Sequence, residues 1–198
     1  MTFEPTSDTL PLRADDALMI VDVQRDFLPG GSLAVAGSDA VIAPLNYCIA
    51  RFVEHRLPVF ASRDWHPGDH CSFRAAGGPW PPHCVADRPG AQFATALQLP
   101  AQAFVVSKGT ASERDAYSAF AHTELDARLR DGHVRRLFIG GLATDYCVSA
   151  SVLDALALGY RVVVLRDAVA AVDAADGAAA LQRMQAAGAA LASSRDLR

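Results

Sequence analysis

The side chains best suited to acid–base, nucleophilic or metal chemistry recur at the ends of apolar runs in this chain. Asp22 closes Leu18-Met19-Ile20-Val21, and Asp64 and His66 follow the run at 58–62. Lys108 comes directly after 104–107, and Cys147 ends Gly140-Gly141-Leu142-Ala143-Thr144-Asp145-Tyr146-Cys147, just beyond 137–140. A cysteine in the first turn of a helix meets unpaired N–H groups and partial positive charge, which favour a thiolate and can bind an oxyanion. Thr144 or Asp145 is the expected cap of such a helix. The alternative for Cys147 is an inert buried thiol, the commoner fate of free cysteine. A carboxylate placed like Asp22 acts as a general base when burial raises its pKa, or else binds loop amides. Lys108 is the only lysine beside 17 arginines, and arginine cannot supply a compact ammonium on a flexible stem. It either holds thiolate and carboxylate together or is a solvated surface lysine.

Asp64-Trp65-His66, with His70 and His83, forms a second constellation. In an extended segment residues i and i+2 face the same side, so Asp64 and His66 can grip one ion. One carboxylate with two or more imidazoles suits Zn²⁺, Fe²⁺ or Mn²⁺ and leaves positions open for water or substrate. The competing reading is a set of loop histidines bonded to backbone. Phe27, Trp80 and Tyr117 occur in nearby loops, where they either stack on a flat apolar substrate or cover the core.

The elements that must position these residues alternate. Strand patterns fall at 18–23, 58–62, 104–107, 137–140, 162–165 and, weakly, 189–192. Helical patterns fall at 39–55, 117–130, 145–158 and 174–187, with Gly159 as the C-terminal cap of the third. Continuous apolar strands alternating with helices predict a single-domain, three-layer α/β/α architecture around a mostly parallel six-stranded sheet. Sites in such sheets form outside the carboxyl ends of the strands, which is where Asp22, Asp64, His66, Lys108 and Cys147 fall. The proline-rich stretch 63–100 has little periodicity, and so long an irregular segment in a compact domain reads as functional.

The chain has 198 residues, 51% of them hydrophobic, and a formal charge of −4. That suits one soluble domain and excludes the basic footprint of a nucleic-acid binder. No window approaches the ~18 uncharged apolar residues of a membrane span. Residues 1–15, read as a loosely ordered extension before a domain at 16–198, lack the pattern of a signal peptide. A cytoplasmic location follows as the expectation, with the four cysteines as thiols.

On these segments the chain resembles the nicotinamidase/pyrazinamidase branch of the isochorismatase-like cysteine hydrolases. The matching stretches are Ile20-Val21-Asp22-Val23-Gln24-Arg25-Asp26-Phe27 with Gly30-Gly31-Ser32-Leu33, and Asp64-Trp65-His66-Pro67-Gly68-Asp69-His70. Trp80-Pro81-Pro82-His83-Cys84-Val85, Lys108-Gly109 and Gly141-Leu142-Ala143-Thr144-Asp145-Tyr146-Cys147-Val148 complete them. The resemblance implies an isochorismatase-like fold and a catalytic triad of Asp22, Lys108 and Cys147. It implies one divalent metal ion, zinc first among Zn, Fe and Mn, on Asp64, His66 and His83, with His70 a ligand in some relatives only. Phe27, Trp80 and Tyr117 would flank the substrate ring. The N–H groups of Ala143 and Cys147 would form an oxyanion hole, beside a cis peptide at Leu142–Ala143. The implied reaction is hydrolysis of nicotinamide, and by analogy pyrazinamide, through a Cys147 thioester in NAD salvage; a homo-oligomer is compatible with the sequence, which leaves the oligomeric state open. The alternatives are another small-amide hydrolase of the same family and a catalytically silent metal-binding α/β protein. A thiol-redox role is disfavoured because Cys147 lacks a Cys-x-x-Cys partner.

Overall fold

The computed structural model describes residues 9–198. Six strands, β1 (Asp16–Val21), β2 (Val59–Asp64), β3 (Phe104–Lys108), β4 (Arg136–Leu142), β5 (Arg161–Ala170) and β6 (Ala190–Ala192), form one sheet. Their order is β3-β2-β1-β4-β5-β6 and every pairing is parallel. The direction of winding reverses between β1 and β4, and that switch point is where an open α/β sheet leaves a crevice at its carboxyl edge.

Four helices cover the sheet: α1 (Ile42–Glu54), α2 (Leu125–Asp131), α3 (Ser149–Ala157) and α4 (Ala174–Ala186). Alternation along the strands decides which side chains each helix meets. Leu18, Ile20, Phe138 and Val163 pack with Leu45, Ile49 and Phe52 of α1. Met19, Val21, Leu137 and Val164 pack on the other face with Leu129 of α2, Val152 of α3 and Met184 of α4. Strands buried on both faces read as the unbroken apolar runs of the sequence. No helix among the described residues is long and apolar enough to cross a membrane.

Local differences from the sequence expectations have local causes. The helix expected at 117–130 is only α2; residues before it form turns, because His122 takes a positive φ of 57° and Thr123 bonds the carbonyl of Ala119. The third helix begins as a wide π turn over Thr144–Val148, and it is capped by neither Thr144 nor Asp145. Asp145 instead accepts hydrogen bonds from the N–H groups of Val172 and Asp173, which ties this turn to the β5–α4 loop. Gly159 does close α3: it has φ +91°, its N–H reaches Leu156 O, and the next N–H, of Tyr160, reaches Ala155 O. That is the Schellman pairing. Of the expected extension at 1–15, residues 1–8 lie outside the described residues; Leu10 and Leu12 bond to the last residues of the chain, and Asp16 pairs with buried Arg136. All four cysteines are free thiols.

Candidate active site

Four strand ends converge on Lys108. Its side chain is buried, yet its Nζ lies 2.6 Å from Asp64 Oδ1, 2.9 Å from Asp22 Oδ2, 3.1 Å from the Ala116 carbonyl and 3.4 Å from Cys147 Sγ. Asp22 follows β1 with φ 50°, Asp64 ends β2, Lys108 ends β3, and Cys147 lies in the turn after β4. The β2–β3 register sets Asp64 directly beside Lys108, which is why the two meet despite forty-odd intervening residues. The cis peptide at Leu142–Ala143 is present in the turn that carries Cys147.

The charges in this cluster control one another. Burial would lower Lys108, but Asp22 and Asp64 outweigh it and hold the ammonium well above its usual value. Burial would raise Asp64, but Lys108, with help from His66, holds it below the carboxylate range. Asp22 is raised: burial exceeds the opposing pull of Lys108, and the nearby Asp64 adds to the rise. Its Oδ1 accepts from Ser62 Oγ at 2.7 Å, while Oδ2 lies 2.9 Å from Lys108 Nζ. Burial also pushes the Cys147 thiol up, with Lys108 opposing. The sulfur therefore holds its proton more tightly than an ordinary thiol.

Asp64, His66 and His83 bring one donor atom each within 4.8 Å of one another. His66 Nδ1 bonds the Gly109 carbonyl and His83 Nδ1 bonds the Pro81 carbonyl, both at 2.8 Å. Each ring thus turns its Nε2 inward, oriented by a backbone acceptor as metal-ligating histidines usually are. Gly109, at φ +59°, cannot be replaced cheaply, since a Cβ there would lie 2.5 Å from the His66 ring. Asp64 Oδ1 serves Lys108, which leaves Oδ2, 3.7 Å from His66 Nε2, for an ion. Burial lowers His83 toward its neutral, ligating form, and the Asp64 carboxylate beside the two imidazoles favours a cation there. The donor set fits. His70 stands outside it: stacked on His66 at 4.1 Å, it bonds Ser72 Oγ and Arg114 O through its two ring nitrogens.

A cleft of about 400 Å³ opens above Cys147 and Asp64, and Phe27, Trp80, Tyr117 and Ala143 all line it. Tyr146, which sequence reasoning passed over, lines it too and stands edge-on to Trp80 at 5.3 Å; its adjacency to Cys147 was the available signal. Gln24 was also missed. Fully buried, it accepts from Asp64 N–H at 2.8 Å and donates to Asp64 O at 2.7 Å and Ala91 O at 2.9 Å, fixing the backbone of that carboxylate.

Residues 16–196 match the isochorismatase domain family. The chain belongs to that family. The isochorismatase domain therefore spans all six strands and every residue of the cluster. Among characterised relatives, a nicotinamidase of Escherichia coli is 41% identical over 88% of this chain and 93% of its own. A crystal structure of a pyrazinamidase of Pyrococcus horikoshii in complex with zinc superposes with a TM-score of 0.88 at 45% identity, covering 90% of this chain and 99% of that one. An L. infantum protein in complex with nicotinate also gives 0.88, at 38% identity, covering 96% and 98%. This isochorismatase-family chain is an amidohydrolase by that kinship, and its buried cluster of charged side chains lies at the switch point of the sheet.

Proposed function

We propose that the protein hydrolyses nicotinamide to nicotinate and ammonia, and pyrazinamide likewise, with Cys147 as nucleophile. The observation that carries this reading is the Lys108 ammonium in contact with Asp22, Asp64 and Cys147 at the floor of an apolar, aromatic-walled cleft. The nicotinamidase, pyrazinamidase and nicotinate-bound relatives support the substrate class.

The flat ring enters between Phe27, Trp80 and Tyr117 with its carboxamide toward Cys147. Asp22 takes the thiol proton; because burial raises its pKa, the carboxylate is a better match to the thiol than an ordinary one, and the transfer costs less. Lys108, 3.4 Å from Sγ, stabilises the thiolate as it forms and attacks the amide carbon. The Ala143 and Cys147 N–H groups meet the oxyanion; one such donor is typically worth ~2.7–4 kcal/mol. Asp22 returns its proton to departing ammonia, then activates water against the thioester. A divalent ion on Asp64, His66 and His83 would supply a Lewis-acid anchor for the ring nitrogen, and positioning of this kind contributes strongly to rate. Zinc is the first choice, on the zinc-bound relative. The four free thiols suit a cytoplasmic enzyme of NAD salvage.

Ammonia release from nicotinamide, before and after chelation, is the direct test. Turnover that chelation abolishes and a divalent ion restores supports substrate and metal together; metal-loaded, reduced protein releasing no ammonia overturns the reading. Cys147→Ala is expected to abolish release while retaining metal content, and appreciable residual turnover would remove Cys147 from the nucleophile's role.

A further inference from the structure

Asp26 lies between Gln24 and Phe27 and has no part in the reaction above. Its half-buried carboxylate reaches across 58 positions of sequence, where Oδ2 accepts the N–H of Cys84 at 2.7 Å. Cys84 is the residue that joins the two imidazoles of the metal site. It follows His83 directly, and its carbonyl accepts the N–H of His66 at 3.0 Å. The pairing runs on from there, with Ala86 N–H reaching His66 O at 2.8 Å. Cys84 holds this place at φ 45°, a left-handed conformation that a non-glycine residue keeps only where its surroundings enforce it.

The carboxylate is itself held in place. Ser32 N–H approaches its Oδ1 at 3.4 Å, and the Asp26 carbonyl accepts from Leu33 N–H at 3.0 Å. On the other side, the turn Pro89–Ala91 brings Gly90 so close that a Cβ there would overlap the carboxylate. The neighbouring Phe27 ring meets the His83 ring at 5.7 Å between centroids. An acceptor fixed in this way fixes the Cys84 N–H, and with it the spacing and facing of His66 and His83. We propose that Asp26 is a positioning residue of the metal site, setting both imidazoles through Cys84. Outer partners that orient metal ligands are typically worth about 10–100-fold in metal affinity. The inference rests on reading Asp64, His66 and His83 as the metal site, and not on which amide is the substrate.

Zinc affinity is measured on metal-free protein by competition with a chromophoric chelator, for wild type, Asp26→Ala, Asp26→Asn and Gly90→Ala. Asp26→Ala removes the acceptor, whereas Asp26→Asn keeps an acceptor oxygen on a side chain of the same shape. Gly90→Ala retains Asp26 and pushes its carboxylate off the Cys84 N–H. The Kd for zinc is expected to weaken by about 10–100-fold in Asp26→Ala and Gly90→Ala, and by less in Asp26→Asn. Cobalt(II) loaded in place of zinc reads the geometry directly, since its visible bands follow the arrangement of the ligands. Those bands should change in the same two variants and stay close to wild type in Asp26→Asn. Wild-type affinity and bands in Asp26→Ala, or in Gly90→Ala should Asp26→Ala not fold, overturn the positioning role while zinc uptake by the wild type preserves the metal site. A wild type that binds no zinc, or an Asp64→Asn variant that binds it undiminished, overturns the metal site and the positioning role with it.

Discussion

At the scale of single residues, Lys108 organises the site by electrostatics. Its folded pKa lies above the usual lysine value, so its contribution to stability is fully present below ~10.4 and is lost as pH rises through the higher folded value. Asp64 is held below the ordinary carboxyl range, so its contribution is present above ~3.9 and is lost as pH falls through the lower folded value. Asp22 is raised and so opposes folding at neutral pH. Lys108→Met strips the cation from both buried carboxylates, and breaking a buried pair costs about 3–5 kcal/mol. Both carboxyls then rise and protonate more readily. The thermal-stability gap between metal-free variant and wild type is therefore expected to be widest near neutral pH and to narrow toward roughly pH 5. Melting curves across that range check it; a gap independent of pH would mean that lost packing, not lost charge, accounts for the damage.

At the scale of elements, the strand ends were legible in the sequence because Asp22, Asp64 and Lys108 each stand at or just beyond the end of a largely apolar run. The three could be placed on one edge from those positions alone. Partners distant in sequence could not. Nothing in the neighbourhood of Asp145 reveals that its carboxylate binds the Val172 and Asp173 amides rather than capping its own turn. Nor does sequence reveal that the helical pattern at 117–130 breaks at His122. Gln24 is the strongest such case, a residue just after β1 that clasps the last residue of β2. Gln24→Leu leaves the N–H and C=O of Asp64 and the carbonyl of Ala91 unpaired in the interior, where each orphaned group costs about 1–3 kcal/mol. A shift of Asp64 by even ~1 Å can cost about 10²-fold in rate. The expected outcome is a lower urea midpoint together with weaker metal binding and a fall in kcat. A destabilised variant with unchanged metal affinity and kcat would reduce Gln24 to a purely structural residue.

At the scale of the whole molecule, the site is no appendage to the fold. Its charged cluster comes from the ends of β1, β2 and β3 and the turn after β4, with His66 and His83 on the segment that follows β2, and the strands bury both cores. The Asp22–Asp64–Lys108–Cys147 cluster cannot open without separating strands that hold the two helix layers together. An ion bound only by the native state must therefore stabilise the entire domain, and not one loop. Zinc at a hundredfold excess over its Kd adds about 2.7 kcal/mol, and ~2–4 °C per kcal/mol for a chain of this size makes an upward shift of roughly 5–10 °C. The metal-free protein is expected to melt in one transition that moves upward as a unit with added zinc. Asp64→Asn, which keeps the side chain's shape and loses its charge, should flatten that response. Two transitions, of which only the lower responds to zinc, would show that the irregular segment between β2 and β3, which carries His66 and His83, unfolds on its own and takes the metal site with it.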